Sequence, residues 1–154
     1  METKIKVCIA EDFHAIRESV ILQLSKLDTV NFLFGVSDGE ELIGRIKDSK
    51  PDVIILDINM PVMNGLEALK IIKTENPEIK VIMFSSHYKS EYIDELFARG
   101  ASGFLPKDSS IEEMGKAIIT VYNNGIYRGE DATEVWLKER VKEVVVNKSN
   151  GKLL

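Results

Sequence analysis

Two adjacent acids, Glu11 and Asp12, close the apolar run Ile5-Lys6-Val7-Cys8-Ile9-Ala10, and a third, Asp57, closes Val53-Ile54-Ile55-Leu56. Both runs read as buried parallel strands, so the acids fall at strand ends, where open α/β sheets bind their ligands. Three carboxylates converging on one crevice raise each other's pKa unless a cation holds them. An oxygen-only donor set suits Mg²⁺, which takes few protein ligands and leaves room for phosphate oxygens. Phosphoryl chemistry is the direct implication.

The elements that must position these acids alternate along the chain. After the first strand, Ile16, Val20, Ile21, Leu24 and Leu27 recur at helical spacing. The apolar run Val30 to Val36 follows, and Asp38 stands three residues before Glu41 as an N-cap pair for a helix using Leu42, Ile43 and Ile46. Pro51 ends that helix. Gly65 precedes a helix carrying Leu66, Leu69 and Ile72, stopped by Asn76-Pro77. A fourth strand runs from Lys80 to Ser85, and a helix with Ile93, Leu96 and Phe97 ends at Arg99-Gly100. Ser102 to Pro106 is a short fifth strand. Overlapping capping boxes in Ser109-Ser110-Ile111-Glu112-Glu113 open a helix striped by Ile111, Met114, Ile118 and Val121. Five βα units with short connections imply an α/β fold with a doubly wound parallel sheet.

We place one domain at residues 1–127 and a helical tail or linker at 128–154. Within the tail, Asp131 to Val146 reads as a helix with Leu137, Val141, Val144 and Val145 on one side, and Lys148-Ser149-Asn150-Gly151 as linker. A formal net charge of −5 argues against non-specific nucleic-acid binding by this chain alone. The single cysteine, Cys8, excludes an internal disulfide framework and reads as a small core hydrophobe. No secretory h-region and no membrane-spanning run are evident, so the expectation is a cytoplasmic protein without membrane contact.

Glu11-Asp12, then Asp57-Ile58-Asn59-Met60-Pro61 with Gly65, then Ser85-Ser86, then Phe104 and Lys107, each close the right strand in the right order. Over residues 4–126 this set resembles the CheY-like receiver domain of two-component response regulators. The resemblance implies a flavodoxin-like (βα)5 sheet in the order 2-1-3-4-5, with the site where the order reverses. It implies Asp57 as phospho-acceptor, a carboxylate being a competent nucleophile toward phosphorus. Asp12 would bind Mg²⁺ directly, Glu11 would act as a second acid, commonly through water, and the Asn59 backbone carbonyl would complete the metal site. Lys107 and Ser85 would engage phosphoryl oxygens. Phe104 matches the family's aromatic switch residue, filling space vacated when Ser85 and Lys107 are drawn inward, and the face of the fourth helix, fifth strand and fifth helix would then change shape. His87, two residues past Ser85, matches a position that modulates hydrolysis. Pro61 and Gly65 hold the intervening loop clear of the phosphodonor, Gly65 by a positive φ or a close backbone approach. Many receivers have Pro directly after the lysine; here Asp108 follows Lys107 and Pro106 precedes it.

The implied partner is a sensor histidine kinase, and the implied output is transcription. The stretch Ala98 to Asp108 with Gly125-Ile126-Tyr127 looks most like receivers that precede a LuxR-type helix-turn-helix domain. DNA would be reached only through such a domain, which this sequence lacks, and a phosphorylation-favoured homodimer is a further expectation. Three competing readings remain weaker. A phosphatase with an aspartyl nucleophile wants a second Asp where Asn59 stands. A flavodoxin-like cofactor binder would not place the acidic, glycine-free Glu11-Asp12-Phe13-His14 at its first turn. A docking receiver that is never phosphorylated would have no use for the complete acid, serine and lysine set. His14 and His87 lack zinc spacing, and His14 falls in the first helical turn.

Overall fold

The structure, a computed structural model, describes residues 3–86 and 89–129. Strands β1 (Ile5–Ala10), β2 (Val30–Val36), β3 (Val53–Asp57), β4 (Lys80–Ser85) and β5 (Gly103–Pro106) form one parallel sheet in the order β2-β1-β3-β4-β5. Helices α1 (His14–Leu24), α2 (Gly39–Ser49), α3 (Gly65–Glu75), α4 (Ser90–Ala98) and α5 (Ile111–Tyr122) alternate with them. Among the described residues, the strand order and the five helices that alternate with the strands are those the sequence reading implies.

Strand side chains alternate between faces, so each strand feeds two cores. Cys8, Ala10, Ile54, Leu56, Val81, Met83 and Phe104 lie under α2, α3 and α4, against Leu42, Ile46, Leu69, Ile72, Ile93 and Leu96. Val7, Ile9, Val53, Ile55, Ile82, Phe84 and Leu105 lie under α1 and α5, against Val20, Leu24, Met114, Ile118 and Val121. Every residue of β3 is buried, as expected of the central strand of a sheet covered on both sides. Cys8 is wholly buried, and burial pushes its thiol pKa up, which leaves a core hydrophobe and no nucleophile.

The caps read from sequence are present. Asp38 accepts from the Glu41 amide at 2.8 Å and Ser110 from the Glu113 amide at 3.1 Å, each contributing about 1 kcal/mol. Asn64 caps α3 in the same way, accepting from the Glu67 amide at 2.9 Å. Gly100 follows α4 with φ 105°, the left-handed C′ position. Leu27 keeps the helical spacing of α1 but falls beyond its end, and still packs, half-buried, on the core. The proposed tail helix, and nearly all of the segment assigned to the tail, lie outside the described residues. Packing of the chain onto the domain continues through Gly129, which is buried.

Candidate functional site

Strand register assembles the site. Ala10 pairs with Leu56, so Glu11 emerges level with Asp57. Asp57 pairs with Phe84, and Ser85 with Pro106, so Ser85 and Lys107 emerge beyond the neighbouring strands at the same carboxyl end. The backbone locks these ends together: the Lys107 amide donates to the Ser85 carbonyl at 3.0 Å, and the Glu11 amide to the Val36 carbonyl at 3.0 Å. Among the described residues no peptide bond is cis, so the chain runs through Lys107-Asp108 in the ordinary trans form.

Asp57 lies at the floor, 2% exposed, and Glu11 is wholly buried, while Asp12 is open to solvent. One carboxylate oxygen from each of Glu11, Asp12 and Asp57 lies within 4.8 Å of the others. The Lys107 ammonium stands 2.7 Å from Glu11 Oε1 and 3.0 Å from Asp57 Oδ1. Asp57 Oδ2 is buried and has no hydrogen-bond partner among the described residues. Burial pushes the Asp57 carboxyl up to about 6, Glu11 adds to the rise, and Lys107 partly opposes it. Burial works against the Lys107 charge, but its bonds to Glu11 and Asp57 outweigh that and hold its pKa above the ordinary value.

This donor set fits a hard divalent cation. Three carboxylates against one ammonium leave an excess of negative charge when ionised, and one buried carboxylate oxygen at the floor lacks a partner among the described residues. Oxygen donors of this kind, with an open side toward solvent, are what Mg²⁺ accepts.

The other anticipated residues fall as follows. Ser85 is buried at the end of β4. Asn59 is exposed, two residues past Asp57. Phe104 is fully buried, already within the core beneath α4. His14 is exposed in the first turn of α1. His87 lies outside the described residues.

The loop between β3 and α3 contains two features of local geometry. A Cβ on Gly65 would stand 2.1 Å from the Asp57 carbonyl oxygen, and the Gly65 amide donates to the Ile58 carbonyl at 2.8 Å. Of the two reasons for glycine here, close backbone approach is the operative one. Val62 is in the left-handed region at φ 66°, and the Met63 amide donates to the Pro61 carbonyl at 2.7 Å across it, a tight and strained γ-turn. Sequence reasoning missed Val62, because a valine carries no signal for positive φ. It also missed Arg17, whose Nη1 donates to the Glu11 carbonyl at 2.8 Å and whose Nη2 lies 3.0 Å from His14 Nδ1. An arginine in a first helical turn reads as solvated surface.

A parallel sheet with this order and acids at its switch point defines a receiver fold. Residues 7–119 match the response regulator receiver domain family, and the chain belongs to it. It is 33% identical over 139 residues to the transcriptional regulatory protein LnrK of Bacillus subtilis, covering 90% of this chain and 63% of that protein. The chain thus spans less than two thirds of that relative's length. Among solved structures, a LuxR-family two-component response regulator from Aurantimonas superposes with TM-score 0.84 at 22% identity, over 90% of this chain and 99% of that one. At that identity the likeness concerns the fold. A NarL signal receiver domain from Mycobacterium tuberculosis gives TM-score 0.75 at 30% identity, over 79% of this chain and 98% of that one.

Proposed function

We propose that Asp57 accepts a phosphoryl group and that the resulting charge switches the domain. The observation that carries this reading is Asp57 Oδ2, a buried carboxylate oxygen without a hydrogen-bond partner among the described residues, beside the ammonium of Lys107. An Asp57 oxygen attacks phosphorus, an O–P bond forms, and the bond from phosphorus to the donor breaks with its electron pair leaving on the donor. A sensor histidine kinase is the proposed donor, so the broken bond is P–N; its electron pair returns to the ring nitrogen, and the imidazole leaves neutral because its other nitrogen carries a proton. Lys107 and Ser85 hold phosphoryl oxygens through a charge and a hydroxyl. Glu11, Asp12, Asp57 and the Asn59 carbonyl would hold Mg²⁺, which supplies positive charge for the oxygens of the transferring group. The product adds about −1.5 to −2 charges at the floor of the crevice.

The chain is in this reading a switch that assists its own phosphorylation and dephosphorylation and acts on no separate substrate. The name of LnrK supports transcription as the output, exerted through a DNA-binding domain outside these residues. A homodimer favoured by phosphorylation and a cytoplasmic location belong to the same proposal; among the described residues no helix is long and apolar enough to cross a membrane. Incubation with acetyl phosphate and Mg²⁺ should add one phosphoryl mass. Asp57→Asn and chelation of the metal should each abolish it, and Asp12→Ala should largely do so. Equal labelling of the Asn variant would reject Asp57 as acceptor.

A further inference from the structure

Beyond α5 the chain turns back onto the outer edge of β5. Gly103 and Tyr127 form a parallel bridge, in which the Phe104 amide donates to the Tyr127 carbonyl at 2.7 Å and the Tyr127 amide to the Ser102 carbonyl at 3.1 Å. Arg128 then reaches across to α4. Its Nη1 lies 3.1 Å from Asp94 Oδ1, and its guanidinium carbon stands 4.3 Å from the centre of the Phe97 ring. Gly129 follows at φ 77°, where a Cβ would stand 3.3 Å from the Phe104 carbonyl oxygen. The departing segment is therefore held twice, by β5 through its backbone and by α4 through one side chain.

α4 is suited to being held from outside. It has nine residues and no side-chain bond at its N-cap. Helices this short owe their position to packing more than to propensity. Its buried Ile93 and Leu96 share a core with Phe104, whose amide the departing segment binds. α4 continues from β4, which ends at Ser85, and β5 ends one residue before Lys107. Phe84 of β4 pairs with Asp57, and Lys107, just past β5, reaches Asp57 with its ammonium at 3.0 Å. If α4 moves relative to β5, one short segment cannot follow both, so either the Arg128 contacts or the Tyr127 bridge must loosen. A part-exposed ion pair over an aromatic ring is weak enough to yield.

We propose that Arg128 is a latch between α4 and the segment 127–129 on β5, docked in the unphosphorylated domain and released when the Asp57 site is charged. The coupling rests on the acceptor reading above. Amide hydrogen exchange on the whole 154-residue chain tests it at Phe104 and Tyr127. Arg128→Ala should speed exchange at both severalfold without ligand. Asp94→Arg alone should do the same, and Asp94→Arg combined with Arg128→Asp should restore protection. Beryllofluoride with Mg²⁺ should accelerate both amides in the wild-type chain and leave Asp57→Asn unchanged. Unaltered exchange in Arg128→Ala overturns the latch. Beryllofluoride seen bound by its fluorine resonance, with Tyr127 exchange unaltered, overturns the coupling and leaves the acceptor reading standing. No bound beryllofluoride overturns the acceptor reading and the coupling with it, while the Arg128 and Asp94 variants still decide the latch.

Discussion

Lys107 and Glu11, 96 positions apart in sequence, meet at 2.7 Å, with the carboxylate wholly buried. Glu11 therefore serves as a counter-ion to the lysine in this state of the domain, a role the sequence reading did not assign. The lysine in turn sets its single positive charge against two buried acids at once. Lys107→Ala should cost about 3 kcal/mol at pH 8, the lower end for a broken buried pair because the lysine is part-exposed, since it strands two carboxylates in a poorly solvated place. The loss should shrink toward pH 5, where Asp57, no longer opposed by the lysine, takes up a proton. Urea unfolding of both proteins at the two pH values checks this, and a loss independent of pH would contradict it.

Asp57 itself should make stability depend on pH. Its folded-state value of about 6 lies above the unfolded value of 3.8. The folded chain then holds more protons between about pH 4 and 6, so stability falls as pH rises through that window and stays lower above it. The full difference is about 3 kcal/mol. Asp57→Asn should therefore stabilise the metal-free protein at pH 7.5 and have little effect at pH 4. Mg²⁺ should recover much of the difference in wild type alone. Denaturant titrations with chelator and with Mg²⁺ supply the comparison.

Gly65→Ala tests the floor of the site through its backbone. The new methyl would stand 2.1 Å from the Asp57 carbonyl oxygen, so β3 or the start of α3 must shift. We expect a loss of about 3 kcal/mol, at the upper end for overpacking, and slower phosphorylation by acetyl phosphate. Thermal unfolding and labelling rates measure the two effects, and a variant as stable as wild type would show that the loop gives way freely.

Val62→Gly should go the other way. Valine at the centre of a γ-turn with φ 66° is strained by roughly 1–3 kcal/mol, and glycine adopts positive φ without that cost. Val62 is exposed, so little packing is lost. The greater freedom of glycine in the unfolded chain offsets part of the relief, and a gain of about 0.5–1 kcal/mol in urea unfolding is the expected outcome.

What could be read from the sequence followed from local rules. β1 and β3 were legible because their apolar runs stop at acids, and the helix starts because Asp38 and Ser110 stand three residues before a glutamate. Strand ends in a parallel sheet fall on one edge, so the placing of Glu11, Asp57, Ser85 and Lys107 together followed from order alone. The pairing of Lys107 with Glu11 did not, because side-chain reach between strands leaves no periodicity. Gly65 offered two explanations that only the path of the backbone separates. The bridge from Tyr127 to β5 is a single pair, too short to alternate, and Arg128 reads as a surface charge until α4 is beside it.

The burial of β3 bears on timing. Every residue of that strand is shielded, with packed layers on both of its faces. In the proposed acceptor reading, a phosphoryl group on Asp57 would have packed protein beneath it, and a hydrolytic water would have to arrive from the rim, where Asp12 and Phe13 are exposed. On that reading, the lifetime of the modified state would be set by side chains that contribute little to holding the domain together. The duration of a signal can be lengthened or shortened at the rim without altering how well the protein folds.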